Sequence, residues 1–185
     1  MPDTKRLDNF ELVLSDGLEK LCHSCGLFEG ELLTSPDIDG AWDGYLEKYV
    51  ADAVSNFNEY PEVAIAWAAY LGMGVAHNWD SDWKAHKDDA YESYYGSRGW
   101  DDMDEHIVGD LLHLKEDWAK KVSDCLAGCA DAALSLIRHE GIEAQTAEGF
   151  YCLVRVYCVF FRLGVTAELS RLGYKKVALP KISVS

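Results

Sequence analysis

The sequence predicts an all-α fold, a single-domain helical bundle of five or six helices, on three observations. Apolar residues recur at steps of three and four along most of the 185 residues. No strand-like alternation exceeds a few residues, and Pro, Ser, Thr and Gly fall where helices start and stop. Nearly half the side chains are apolar, and a chain of this length buries a core without staples. No internal repeat or low-complexity segment divides it, so residues 1–185 read as one domain.

The first helix is predicted over residues 7–25, where Leu7, Phe10, Leu14, Leu18, Leu21 and Cys25 keep helical spacing and Gly26 supplies the stop. Thr34-Ser35-Pro36-Asp37 offers a cap, a proline for the first helical position and an acid for the first turn. Trp42, Leu46, Tyr49, Val50, Ala53 and Phe57 continue that second helix, which ends before Pro61. A third, central helix is predicted over about 61–86. It is apolar all round, with Ala64, Ala68, Gly72 and Ala76 as a small-residue stripe. The stretch YYGSRGW (Tyr94 to Trp100) breaks the pattern. A long helix is then predicted over about 101–139, because Ile107, Leu111, Leu114, Trp118, Val122, Cys125, Cys129, Ala133 and Leu136 step by three or four. Gly141 ends it and Thr146 caps a last apolar helix, which Gly164 is expected to divide. Residues 174–185 read as a basic, extended tail.

Charge bounds the partners. There are 32 acids against 17 Lys and Arg, a net charge of −15, and such a field repels nucleic acid and anionic membrane while favouring a basic partner. From Arg162 onward five bases face one acid, so this basic end is expected to dock on its own body or on a second copy in a homo-oligomer. The opening MPDTKRLDNFELVLSDG has no apolar signal core, and the expected location is the cytoplasm.

Three constellations can carry chemistry. The first is an aromatic and acidic rim around HNWDSDWKAH: Trp79, Asp80, Asp82, Trp83, Tyr94, Tyr95, Trp100, Asp101 and Asp102. Residues 79–105 hold nine acids and six aromatics against three bases, which suits an Arg or Lys of a basic protein or peptide. Within it Trp79 and Trp83 are expected to stack, and Asp80 and Asp82 to pair with Lys84 and His86. The second is a stripe on the long helix, Asp102, His106, Asp110, His113 and Asp117. There Asp110-x-x-His113 has the form of one arm of a bundle metal site; no second arm of that form follows, and His77 and Asp80 of the third helix complete a site only if the helix ends meet. The third is CHSC, Cys22 to Cys25. No strand precedes it and no second Cys-x-x-Cys follows, so it reads as two cysteines at a helix end, with Cys125, Cys129, Cys152 and Cys158 as small core residues. Arg155 and Arg162, seven apart on the most apolar helix, call for structural ion pairs with the long helix, Glu143 or Glu148.

The leading expectation is a non-enzymatic adaptor or inhibitor, immunity-like in charge and size, that binds a basic protein or peptide without a cofactor. The alternative is a helical-bundle enzyme holding a divalent transition metal at His106, Asp110 and His113. A thiol-redox role for Cys22 and Cys25 comes third.

Overall fold

A computed structural model describes residues 2–177. Five long helices carry it: α1 (Thr4–Ser24), α2 (Pro36–Phe57), α3 (Pro61–His86), α5 (Glu116–His139) and α6 (Ala147–Arg171). A three-residue helix, α4 (Met103–Glu105), lies in the connection between α3 and α5. No strand occurs among the described residues. The all-α bundle is therefore what the sequence builds.

The helix starts follow their capping chemistry. The carboxylate of Asp3 accepts the Arg6 N–H, the hydroxyl of Ser35 accepts the Ile38 N–H ahead of Pro36, and the hydroxyl of Thr146 accepts the Gly149 N–H. At the far end of α1 the chain turns at Gly26, φ 71°, so that Leu27 N–H reaches back to the Cys22 carbonyl. Only a residue free to adopt a left-handed conformation closes a helix this way.

α3 runs through the centre, with α2, α5 and α6 against it. Its contact with α6 is backbone to backbone. A Cβ on Gly72 would lie 2.1 Å from the Phe161 carbonyl oxygen, and one on Gly164 would lie 1.7 Å from the Ala69 carbonyl oxygen. Gly164 thus does not divide the last helix, as the sequence suggested; α6 runs unbroken past it, because the glycine there serves close approach and not termination. α6 is long and apolar enough to cross a membrane, yet 67% of its most apolar window is buried inside the bundle.

The expected helix over 101–139 is not continuous. Trp100–Asp102 forms a 3-10 turn, His106–Leu111 forms a π-helical turn, and the chain breaks before α5 begins at Glu116. Leu112 N–H bonds the Ile107 carbonyl, an i→i−5 pattern that puts Ile107 and Leu112 in the core instead of Leu111 and Leu114. Gly109 weakens the helix here, while Glu116 and Asp117 favour a fresh N-terminus three residues after His113, which sits at φ 51°.

The arginines of α6 find α1. Arg155 pairs with Asp8 and Glu11, and Arg162 lies 3.8 Å from Glu11. The long helix, Glu143 and Glu148 are not their partners; Glu148 instead pairs with Arg6 at 2.8 Å. At the C-terminal end Tyr174 donates to Asp80 and Lys176 to Glu31, both within the chain. The remainder of the expected basic tail, residues 178–185, lies outside the described residues.

Replacing Gly164 by Ala should cost about 3 kcal/mol or more of stability, because backbone has to move to admit the methyl group. Gly17→Ala in α1, where nothing lies within 4 Å of the new Cβ, should instead stabilise by up to about 1 kcal/mol. Urea unfolding of both variants measures the contrast, and equal effects would mean that the α3–α6 approach does not limit the fold.

Candidate metal centre

The two cysteine pairs that the sequence keeps a hundred residues apart meet in the core. The apolar spacing of α1 carries Cys22 inward behind Leu14 and Leu18, and Cys25 caps the same helix. α5 buries Cys125 and Cys129 on the face it shares with Val122, Leu126 and Ala133. Where α1 packs on α5, Cys22 Sγ lies 3.7 Å from Cys129 Sγ and 3.9 Å from Cys125 Sγ. All three sulfurs fall within 4.8 Å of one another. Cys25 is half-buried at the same end of α1. Beside it, Lys121 Nζ comes within 3.7 Å of where a Gly26 Cβ would be and sits over the Trp118 ring at 4.7 Å.

All six cysteines are free thiols. Those of the cluster are held well above the ordinary thiol range. For Cys22, hydrogen bonding with Cys125 lowers the value, but hydrogen bonding with Cys129 and burial together raise it further. For Cys129 the Cys125 thiol raises it and burial adds to this. Reactive redox cysteines need the opposite, a depressed pKa and an exposed thiolate. Burial and the raised thiol therefore do not favour a redox role for Cys22, and the geometry suits another use of sulfur. A tetrahedral ion bound at 2.3 Å by thiolates holds its sulfurs about 3.8 Å apart. The observed spacings straddle that value. Sequence reasoning missed this set because Cys125 and Cys129, four apart, also fit an ordinary core face. The available signal was that four of the six cysteines come as two pairs with one helical turn between members.

The histidine and aspartate stripe does not assemble, because the helix meant to align it is broken. Asp102 is buried; its carboxylate accepts the Arg98 N–H and the Ser97 hydroxyl, closing the turn at 96–99. Burial raises its pKa, and those donors outweigh burial and hold it below the usual range. His106 and Asp110 form an exposed pair at 3.0 Å on the π turn, His113 is exposed in the break, and Asp117 starts α5. His77 turns to α6, its Nδ1 3.9 Å from Oε1 of the buried Glu168, which Arg171 clamps with two hydrogen bonds. Asp80 accepts the Tyr174 hydroxyl at 2.7 Å. Among the described residues, Cys22, Cys125 and Cys129 are the group of His, Cys, Asp or Glu side chains that converges closely enough for one ion.

The aromatic rim is mostly core. Tyr94 and Trp100 are 2% and 7% exposed, so they offer no open aromatic face. Tyr94 accepts a hydrogen bond from Asn78, while Tyr91 and Tyr95 both donate to Asp52 of α2. These bonds draw the rings inward, since a buried tyrosine hydroxyl needs a partner. Trp79 packs on Tyr174 with centroids 5.5 Å apart, and Trp83 is partly buried. The two do not stack, because Asp82 is extended (φ −166°, ψ 83°) and kinks α3 between them. Asp82 recaps the last turn by accepting the Ala85 N–H, and His86 pairs with Asp89 at 2.7 Å instead of with Asp82. Asp80, Asp82 and Asp101 remain exposed.

A groove of about 660 Å³ between Glu29–Leu33 and Ser170–Lys176 has no cysteine or histidine in its wall. No family model, curated protein or solved structure matches this chain.

His77 carries a pH signature. Burial lowers its pKa first, Arg171, His113 and His86 lower it further, and Asp80 opposes them. A histidine kept neutral by the fold contributes stability fully above its ordinary pKa near 6.5, which is lost as pH falls through the lower folded value. The melting temperature of the wild type should therefore fall more steeply between pH 7 and pH 5 than that of His77→Gln. Parallel profiles for the two proteins would show that His77 titrates as it does in water.

Proposed function

We propose that this protein binds one thiophilic metal ion of the zinc class through the cysteines shared by α1 and α5. The observation that carries the reading is the convergence of Cys22, Cys125 and Cys129, with sulfurs 3.7 and 3.9 Å apart inside an otherwise apolar core. Thiolate sulfur selects zinc, copper(I) or iron over hard cations such as magnesium and calcium. Each coordinating thiol gives up its proton to solvent, and the positive ion compensates the buried negative charge that burial alone disfavours. An ion there ties the C-terminal end of α1 to the middle of α5 and stabilises the bundle by linkage. A reducing, cytoplasmic location suits free thiols of this kind.

A basic partner, suggested by the net charge of −15, has less support. With Tyr94 and Trp100 buried and Asp102 holding a turn, the rim keeps charge but loses its aromatic anchors. Charge alone speeds encounter without specifying a partner.

Reduced protein should take up one cobalt(II) or cadmium(II) ion per chain, with a near-ultraviolet thiolate-to-metal charge-transfer band. Free metal a hundredfold above its Kd should stabilise the fold by about 2.7 kcal/mol, a rise in Tm of roughly 5–10 °C. The double variant Cys125→Ser, Cys129→Ser should lose both effects, while Cys152→Ser, a buried thiol of α6 outside the cluster, should keep them. Absence of the band and of the Tm rise in the wild type would overturn the reading.

A further inference from the structure

We propose that the same three buried thiols also take a trivalent, three-coordinate thiophile, arsenic(III), as a neutral trithiolate that leaves no charge in the core. This rests on the convergence of thiols read above and names a ligand beyond the zinc class. Cys22, Cys125 and Cys129 are no more than 2% exposed, and their sulfurs lie within 4.8 Å of one another. No fourth His, Cys, Asp or Glu among the described residues joins that group. The residues beside them on the inward faces are apolar, Leu18 of α1 with Val122 and Leu126 of α5. A tetrahedral ion held by three side chains completes its shell with water or a fourth ligand, and this core offers neither. Arsenic(III) needs no fourth ligand, because its lone pair takes that corner.

Charge points the same way. A divalent ion on three thiolates leaves one net negative charge, and an unpaired charge held away from water is costly. Lys121 stands beside the end of α1, but it is exposed, its ammonium 4.7 Å from the Trp118 ring centroid. Three arsenic–sulfur bonds leave no charge to compensate. Arsenous acid is itself uncharged, so its entry into the core desolvates no ion. The step balances without an oxidant. Each arsenic–oxygen bond breaks as an arsenic–sulfur bond forms, and each thiol proton leaves with the departing hydroxide as water. Three thiols and one arsenous acid give one trithiolate and three waters, and the product ties α1 to α5.

Native mass spectrometry and thermal melting of the reduced chain, with arsenite as the probe, test this. The expected species is one adduct per chain, heavier by one arsenic and lighter by three hydrogens. The Tm should rise with it, since the bonds form across the folded interface. Cys129→Ser should keep one arsenic-bound hydroxyl and lose only two hydrogens. Cys25→Ser and Cys152→Ser, outside the converging group, should give the wild-type mass change. In competition with zinc, arsenite should be favoured at least about tenfold more by the protein than by a flexible three-cysteine peptide, because only the core penalises a charged adduct. A wild-type adduct that retains a hydroxyl would overturn the proposal. So would a fall in Tm, which shows capture by thiols of the unfolded chain, or equal selectivity in protein and peptide. If cobalt(II) binds while arsenite gives no three-bond adduct, the thiolate reading stands and this one fails. If arsenite gives that adduct and cobalt(II) does not bind, only the zinc-class reading fails. If neither binds, the convergence of the thiols fails and takes both readings with it.

Discussion

The close approach of α3 and α6 is the constraint on which the other packing depends. Two glycines, Gly72 and Gly164, let backbone carbonyls of one helix lie where a side chain of the other would be. Helices this near leave their larger side chains to fill the flanks. Trp42 of α2 accordingly stacks on Phe161 at 4.5 Å and donates its indole N–H to the Cys158 sulfur. Tyr49 of the same helix reaches across to donate to the Ala64 carbonyl. On the opposite flank α6 holds α1 through Arg155, Asp8 and Glu11, and α1 in turn is laid against α5. The cysteine cluster lies at that last contact, so its geometry is inherited from a glycine pair elsewhere in the bundle.

Several carboxylates drawn in by this packing are given partners. Asp52 takes two tyrosine hydroxyls, Asp102 closes a loop, and Glu168 is clamped by Arg171. Such bonds use up groups that look free in the sequence. Three cysteines stand apart from this pattern. A thiol is a weak hydrogen-bonding group and packs as a small apolar one, so two cysteines in a core need no explanation. Three from two distant segments, with sulfurs at the spacing a bound ion would impose, do call for one.

Helix existence and type were legible because they depend on local chemistry. Ser35 and Thr146 cap helices and Pro36 and Pro61 take first-turn positions where the sequence places them, and Leu7, Phe10, Leu14 and Leu18 face inward as their spacing requires. The segment 101–115 departs from its periodicity for a physical reason. Its steps of three and four fit a regular helix, but the core accepts Leu112 and not Leu111, and a π turn shifts the register to deliver it. That shift dispersed the histidine and aspartate stripe. The aromatic rim failed similarly, since Tyr91, Tyr94 and Tyr95 carry hydroxyls whose partners, Asn78 and Asp52, lie on other helices.

By itself the sequence determined the helical class, the caps, the acidic charge and the presence of two spaced cysteine pairs. These follow from periodicity and composition, which act over a few residues or over the whole chain. Only the tertiary structure decided which polar residues stay at the surface, and that Cys22 faces Cys125 and Cys129. Both depend on how helices far apart in the chain are set against one another. That setting is fixed where Gly72 and Gly164 let two backbones touch.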